Sequence, residues 1–281
     1  MATRLVINAD DFGLHPDIDA GIVSARTQGV LTSATLLVTG RSAPSAVQQA
    51  KASGLGLGVH LAFCGGLPAA AAPHSVPSLA PRGILRSAWH HVLRAVLLGR
   101  IPASEFEAEA QAQLQRAAEL GFTPDHLDSH QHLHLLPAIR KVVEQVALAA
   151  GLPLRWPSPW PAAMRWRLGS VGAAKAIGVA VLARTAPTSG VRRVTAFGLA
   201  ESGHLDENAL LALIDRLPSG DVEIFCHPGL GRPQVPEEPG WIYGWETELQ
   251  ALTSPRVKAR LEASGITMCR YAAFADDARA T

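Results

Sequence analysis

Strand-like and helix-like segments alternate along most of this sequence, and the alternation constrains the fold more than any other feature. Repeated strand–helix units predict a parallel sheet, because each helix carries the chain back to the edge where the next strand starts. About seven or eight such units follow one another, and this number favours a closed barrel over an open sheet. With 281 residues and no internal repeat or linker, the chain is expected to form one domain over residues 1–281.

The predicted segments follow from apolar periodicity, turn residues and helix caps. The predicted strands are Leu5–Asn8, Leu31–Val38, Leu55–Phe63, Asp125–Ser129, Leu152–Trp156, Val191–Phe197, Asp221–His227 and Ile266–Tyr271. The predicted helices are Pro16–Gln28, Ala43–Ser53, Trp89–Leu98, one that begins at a capping box of Ser104 and Glu107, Leu136–Ala150, Asn208–Leu217 and Trp245–Ser264. Two long loops rich in Pro and Gly, Gly65–Ile84 and Pro228–Gly244, are candidates for functional loops.

The composition argues against several classes of protein. The formal net charge is only +1 and no basic tract stands out, which disfavours a nucleic-acid-binding surface. The three cysteines, Cys64, Cys226 and Cys269, are sparse and widely spaced, so a reducing, cytoplasmic location is expected. No signal-peptide pattern precedes the first apolar run, and no run of about 18 apolar residues predicts a membrane-spanning helix.

Four polar clusters stand at the carboxyl ends of predicted strands. They are the pair Asp10 and Asp11, the single His60, the run that contains His126, Asp128, His130, His132 and His134, and the single His227. The carboxyl ends of the strands of a parallel barrel converge on one face, where active sites lie. Each cluster alone is a weak signal, but their shared position predicts one common site.

The residue types in these clusters suit a hydrolytic metal site. Two carboxylates as close as Asp10 and Asp11 shift each other's pKa, so one usually binds a cation and the other can act as a base. Aspartate with two histidines leaves a position open for water on zinc or a neighbouring metal. The two acids could instead cap the helix that follows, and His60 could be a hydrogen-bonded core residue. The four histidines of the third cluster cannot all bind one ion.

Five motifs carry a resemblance to a known family. They read Val-Ile-Asn-Ala-Asp-Asp-Phe-Gly-Leu, Gly-Val-Leu-Thr-Ser-Ala-Thr, Gly-Val-His-Leu, His-Leu-Asp-Ser-His-Gln-His-Leu-His-Leu-Leu-Pro and Ile-Phe-Cys-His-Pro-Gly. In this order, over residues 5–229, they resemble the YdjC-like carbohydrate deacetylases, which include chitooligosaccharide and hopanoid-associated enzymes. The resemblance implies an α/β fold, a distorted TIM-like (β/α) barrel related in layout to the NodB-type deacetylases. It also implies removal of the N-acetyl group from a GlcNAc-containing oligosaccharide or glycolipid, with release of acetate.

The resemblance further implies roles for individual residues. It implies one divalent metal ion, zinc or magnesium, held by Asp11, His60 and His130. It makes Asp10 the catalytic base that takes a proton from water. His227 matches the position where the related NodB-type enzymes place a histidine that protonates the leaving amine.

Several assignments stay open at the level of sequence. The NodB-type enzymes take both histidines from one His-x-x-x-His motif, so His126 is a rival to His60 as a metal ligand. Arg155 follows a strand and is expected either to orient Asp10 or to form a plain structural salt bridge. The residues expected to contact the metal ligands or the substrate are His126, Asp128, His132, His134 and Arg155.

Other readings of the chain compete with a deacetylase. A barrel that binds a metal or a sugar without turnover is the main alternative, although a pure binder needs no base beside its ligand. Glycoside cleavage usually needs two separated carboxylates rather than a histidine-bound metal.

Several aromatic residues could line a sugar-binding groove or serve as packing anchors. They are Trp156, Trp160, Trp166, Trp241, Tyr243 and Trp245. The apolar helix near Trp89, with Arg86, Arg94 and Arg100, could pack or rest on a lipid or a partner. A homodimer is expected on base rates alone.

Overall fold

The computed structural model describes residues 2–158, 171–231 and 243–275 of the chain. Within these ranges all strand pairings are parallel, as the alternation of strands and helices predicts. The strands are β1 (Thr3–Phe12), β2 (Ser33–Leu36), β3 (Gly56–Leu61), β4 (Leu127–Ser129), β5 (Leu154–Pro157), β6 (Arg193–Phe197), β7 (Gly220–Cys226) and β8 (Thr267–Met268).

Strands β1 to β7 close into a barrel, because β1 pairs with both β2 and β7. The short strand β8 joins the amino-terminal part of β1, where Arg4 pairs with Thr267. Further along β1, Asn8 pairs with Ser33 of β2. Strands β8 and β2 therefore share one edge of β1, since its other edge is paired with β7 throughout. The predicted α/β, TIM-like barrel is confirmed, with seven strands in the closed ring.

Helices surround the barrel and pack the main apolar core against it. They are α1 (Pro16–Gln28), α2 (Ala43–Ser53), α3 (Trp89–Leu97), α4 (Ala103–Glu119), α5 (Pro137–Ala150), α6 (Val171–Thr185), α7 (Glu207–Ile214), α8 (Trp245–Thr253), α9 (Pro255–Ala263) and α10 (Ala272–Ala275). Helix α1 begins at Pro16 because proline suits the first turn, and Nδ1 of His15 accepts a hydrogen bond from the backbone N–H of Asp17. Asp10 and Asp11 therefore do not cap this helix.

Two predictions about helices are wrong. The segment Trp245–Ser264 forms two helices, because Ser254 precedes Pro255 and adopts an extended conformation with ψ of 130°. The Ser254 hydroxyl then caps α9 by accepting from the N–H groups of the following turn. The capping box of Ser104 and Glu107 is absent, since α4 begins at Ala103 and has no side-chain cap hydrogen bond.

The interior of the barrel holds polar side chains. Arg155 on β5 contacts Asp10 on β1, and these strands are not neighbours, so the arginine crosses the inside of the barrel. Lower in the barrel, the ring of His126 occupies the space left by Gly58, where a Cβ atom would lie 2.4 Å from the imidazole. No helix among the described residues is long and apolar enough to cross a membrane.

Candidate active site at the carboxyl ends of the strands

A bulge in β1 turns two adjacent acids toward the same space. Ala9 pairs with Ala34 and Phe12 pairs with Leu36, so Asp10 and Asp11 together oppose a single residue of β2. Adjacent side chains of a regular strand face opposite ways, and a bulge breaks that rule. Asp11 adopts a left-handed conformation with φ of 65°, which is uncommon for a residue other than glycine. The bulge therefore brings both carboxylates into the mouth of the barrel.

Asp11, His60 and His130 form a cluster of three buried ligand atoms within 4.8 Å of one another. An oxygen of Asp11 lies 3.5 Å from Nε2 of His60 and 3.0 Å from Nδ1 of His130. Ligand atoms that share a tetrahedral zinc ion lie about 3.4 Å apart. Burial opposes ionisation of Asp11, but the hydrogen bond and the charge of His130 hold its pKa below the usual value. The donor set and its spacing fit a single divalent ion.

The imidazole of His60 is oriented by its neighbour on β4. His60 and Asp128 are paired in register, and Nδ1 of the imidazole donates to Asp128 over 2.7 Å. The other nitrogen, Nε2, lies 3.5 Å from Asp11 and is the ring nitrogen available to a metal ion. Burial opposes protonation of His60, but the charges of Asp128 and Asp10 raise its pKa above the ordinary value. The hydroxyl of Thr35 donates to the second oxygen of Asp128 over 3.1 Å and holds the carboxylate in place.

His130 lies at the start of a strained turn that follows β4. Gln131 and His132 have φ angles of 59° and 56°, both in the left-handed region. Two successive residues in this conformation are costly without glycine, and such strain tends to persist where surrounding contacts fix a functional site. The turn folds His130 back over the mouth of the barrel, where it faces His60 with ring centroids 5.5 Å apart.

Arg155 is fully buried and bound to three carboxylates. It donates to both oxygens of Asp10 over 2.6 Å, to Asp128 over 2.7 Å and to Glu223 over 2.5 Å. Burial opposes the charge, but the three anions raise the pKa of Arg155 well above its ordinary value. Burial also opposes ionisation of Asp10, yet Arg155 holds the pKa of that carboxyl well below its usual range. Asp10 is therefore ionised throughout the neutral range.

A second group of possible ligands contains Asp10, His60 and Asp128. Both carboxylates of this group already bind the guanidinium of Arg155, and Nδ1 of His60 is bonded to Asp128. A second cation at this place would face the positive charge of Arg155. Of the two groups, the cluster that contains Asp11 is therefore the better candidate to hold a metal ion.

His227 follows β7, the strand next to β1, and lies beside the two acids. Its Nε2 lies 3.8 Å from an oxygen of Asp10, and its backbone N–H donates to Glu248 over 2.5 Å. Burial lowers the pKa of His227 below the ordinary value, although the charges of Asp10 and Asp11 oppose this effect. Burial raises the pKa of Glu248 to about 8. The imidazole of His227 is therefore neutral at rest and lies beside the ionised carboxylate of Asp10.

The other histidines of the run occupy separate places. His126 donates from Nδ1 to Asp125 over 2.6 Å and stacks on Tyr271, so it lies outside the metal cluster. His134 contacts the hydroxyl of Ser129 and the carbonyl of Arg155, and burial lowers its pKa to about 4. The ring of His132 packs against that of Phe225. His134 thereby contacts Arg155, which binds Asp10.

The aromatic residues expected near the site divide into two groups. Tyr243 packs its ring against His227 with centroids 4.7 Å apart, so it lies at the mouth of the barrel. Trp156 donates from its indole to the carbonyl of Ala183 and lies beneath Arg193, which makes it a packing anchor. Trp245 is buried. Trp160, Trp166 and Trp241 lie outside the described residues.

Four residues of the site had no role in the sequence analysis. Asn8 donates to Asp10 over 3.1 Å, and the hydroxyl oxygen of Thr35, which donates to Asp128, lies 3.3 Å from the same carboxylate of Asp10. Glu223 binds Arg155, and Glu248 accepts from the backbone of His227. Glu223 did leave a signal, since it is a charge flanked by the apolar residues Val222 and Ile224 within a strand. Glu248 lies on α8 and left no signal of this kind.

Comparisons with known proteins identify the family of the chain. The model of the family described as "YdjC-like protein" matches residues 4–263. A carbohydrate deacetylase of Mus musculus is 34% identical over 293 residues, which cover 95% of this chain and 93% of the relative. A chitooligosaccharide deacetylase of Escherichia fergusonii is 30% identical over 277 residues, which cover 96% of this chain and 99% of the relative.

One solved structure extends the comparison to the fold. It belongs to a protein of Enterococcus faecalis V583 to which cellobiose-phosphate cleavage has been ascribed. It is 26% identical in sequence, has a TM-score of 0.74, and the match covers 98% of this chain and 99% of that protein. The family match over nearly the whole length, the two relatives and the shared barrel agree: this chain belongs to the YdjC-like protein family.

Proposed function

We propose that this chain is a metal-dependent hydrolase that removes the N-acetyl group from an acetylated amino sugar and releases acetate. The observation that carries the proposal is the bulge in β1, which sets a permanent carboxylate, Asp10, beside the three-ligand cluster that contains Asp11. A site that only bound a metal or a sugar would need the ligands but not a second, separately held acid. The names of the relatives supply the class of substrate.

In this proposal Asp11, His60 and His130 hold the divalent ion. A bound ion of this kind supplies a Lewis acid that polarises the acetamide carbonyl and favours the ionisation of water. Two imidazoles in the set favour zinc or another late transition metal over magnesium. The chain contributes the orientation of the ligands, since Asp128 orients the ring of His60.

Asp10 is the proposed base. It takes a proton from the attacking water, and the resulting hydroxide adds to the carbonyl carbon of the acetamide group. Arg155 holds both oxygens of Asp10, so the carboxylate keeps one orientation while it accepts the proton. The same ion pair makes Asp10 a weak base, and catalysis therefore depends on a water molecule that is already acidified at the site.

His227 is the proposed acid. Cleavage of the bond between carbon and nitrogen requires a proton on the departing amine, and the products are acetate and a free amino group. The pKa of His227 is lowered, so the ring receives this proton during the reaction rather than carrying it at rest. Asp10, which holds the proton taken from water, lies 3.8 Å from Nε2 of His227 and is the nearest source.

Mass spectrometry of the purified chain with a panel of sugars tests the proposal. The panel contains N-acetylglucosamine, N,N′-diacetylchitobiose and a glycolipid that carries N-acetylglucosamine, each incubated with added zinc and with chelator. We expect metal-dependent loss of one acetyl group from at least one compound. If the chain binds metal but releases acetate from none of them, a barrel that binds without turnover becomes the better description.

A further inference from the structure

One face of helix α3 and the loop before it exposes apolar and basic side chains together. We call this surface the α3 face. Leu97 is 76% exposed, Leu98 is 52% exposed and Ile84 is 46% exposed, which is unusual for side chains of this size. The three apolar side chains are accompanied by exposed basic groups, which are Arg82, His90, Arg94 and Arg100.

The geometry of α3 places three of these groups, His90, Arg94 and Leu97, on one side of the helix. Val92 and Ala95 are the buried residues of the helix, and they anchor it to the main core. His90, Arg94 and Leu97 follow the spacing of three and four residues that places side chains on one face of a helix. This face points away from the core, since all three side chains are exposed. The helix is therefore amphipathic, but leucine as well as arginine lies on its outer side.

The charge of this region has one sign. Residues 20–104 contain no Asp or Glu, although the whole chain has nearly balanced charge. The first acid after this stretch, Glu105, is buried and accepts from the backbone N–H groups of Ser78 and Leu79, so it does not neutralise the surface. Among the described residues, no ion-pair partner is found for Arg82, Arg94 or Arg100. The positive charge of the α3 face is therefore uncompensated there.

The α3 face lies close to the mouth of the barrel along the chain. The strand β3 ends next to His60, and the loop that follows is joined to the segment before α3. Gly65 donates its backbone N–H to Arg86 over 2.9 Å, and Leu85 donates to Leu67 over 2.8 Å. These bonds attach the segment that carries Ile84 to the loop that leaves the end of β3.

We propose that the α3 face binds the surface of an anionic phospholipid bilayer. Exposed leucines beside arginines are the pattern of a helix that lies in a membrane interface, with apolar side chains among the acyl chains and guanidinium groups at the phosphates. Leu97 and Leu98 at the end of α3 are strongly exposed. Such side chains can enter the acyl-chain region of a bilayer, which needs no complementary pocket, more readily than a protein partner, which does. The bonds between the segment before α3 and the loop that leaves β3 connect this surface to the proposed site, but the proposal does not depend on the proposed function.

Flotation of the full chain with lipid vesicles tests the proposal. Vesicles of equimolar phosphatidylcholine and phosphatidylglycerol should carry the chain upward, whereas vesicles of phosphatidylcholine alone should carry little. Raising the salt to about 0.5 M should weaken the binding, because salt screens the attraction between arginine and phosphate. We expect Arg94→Glu and the double variant Leu97→Glu, Leu98→Glu each to weaken binding to the anionic vesicles by about tenfold.

Leu148→Glu is the matched control. Leu148 lies on α5 and is 60% exposed, so it tests the loss of an exposed leucine away from the α3 face. This variant should float as the unchanged chain does. Equal weakening by Leu148→Glu, or no flotation with anionic vesicles at low salt, would overturn the proposal. Light scattering distinguishes a second outcome. If the chain does not bind vesicles but forms a dimer that the Leu97→Glu, Leu98→Glu variant loses, the α3 face binds a second copy of the chain and the membrane proposal is overturned.

Discussion

His60 and Asp128 form a hydrogen bond of 2.7 Å between neighbouring strands, and this bond decides which nitrogen of the imidazole faces Asp11. A carboxylate that fixes a ligand in this way typically changes metal affinity by about 10- to 100-fold. Asp128→Asn keeps the shape of the side chain but removes its charge. We expect at least a tenfold loss of zinc affinity, measured by titration against a chelating indicator.

Asp125→Asn provides the control for this prediction. Asp125 accepts an equivalent bond of 2.6 Å from His126, but that pair lies outside the metal cluster. Zinc affinity should stay unchanged in this variant. If both substitutions weaken zinc equally, the effect is one of general stability and Asp128 has no special relation to the metal.

Replacement of the two adjacent acids should separate metal binding from turnover. Asp10→Asn cannot accept a proton, but it leaves Asp11, His60 and His130 in place. We expect normal zinc content by inductively coupled plasma mass spectrometry and a loss of deacetylation of about 10²- to 10⁴-fold. Asp11→Ala should lose the metal itself. Full turnover by Asp10→Asn at normal zinc content would refute the assignment of the base.

Arg155 should be essential for stability because of the anions around it. Its removal would leave Asp10, Asp128 and Glu223 buried together without a counter-ion, and breaking a buried ion pair typically costs about 3–5 kcal/mol. We expect Arg155→Met to lower the free energy of unfolding by at least that amount, as measured by urea denaturation. Arg260→Met is the control, since Arg260 forms an exposed pair with Asp215 that contributes about 0–1 kcal/mol.

The sequence predicts the order of the strands and the positions of the four polar clusters, because both depend on local periodicity. Each predicted strand overlaps an observed strand, seven of them in the closed ring and the last at β8, and Asp11, His60 and His130 meet at one end. The break at Ser254, which the predicted helix Trp245–Ser264 missed, also has a local signal, since Pro255 disfavours a helical conformation in the residue before it.

The sequence anticipates a contact between Arg155 and Asp10, which the structure contains, but not the other contacts of Arg155 inside the barrel. Arg155 and Glu223 lie 68 residues apart, and nothing in either strand indicates their pairing before the barrel closes. The inward turn of both Asp10 and Asp11 depends on the bulge opposite β2, whereas strict strand alternation would send one of them outward. The orientation of the His60 ring likewise depends on its register with Asp128.

Asp19 should make the stability of the chain depend on pH. Burial raises its pKa from 3.8 to about 6, although the backbone N–H of Gly13 donates to it over 2.7 Å. Between these two values the folded state retains a proton that the unfolded state has released, so the free energy of unfolding falls as the pH rises. The free energy of unfolding should fall by roughly 2–3 kcal/mol between pH 4 and pH 6.

Asp19→Asn tests this dependence because the amide oxygen can still accept from Gly13. Urea denaturation at several pH values should show a flatter profile for the variant, and the variant should be the more stable protein above pH 6. An identical slope in the two proteins between pH 4 and pH 6 would mean that Asp19 does not carry the effect.

Gly21 on α1 is expected to control the position of the segment that carries His227. A Cβ atom at Gly21 would lie 2.3 Å from Cα of Gly229, which is backbone and can yield only if the segment moves. We expect Gly21→Ala to destabilise the fold by about 1–3 kcal/mol and to lower turnover while zinc binding persists. Gly178→Ala is the control, since no atom lies within 4 Å of its added Cβ and alanine favours a helix by up to about 1 kcal/mol. Unchanged turnover in Gly21→Ala would show that His227 tolerates displacement of its segment, which would argue against its role as the acid.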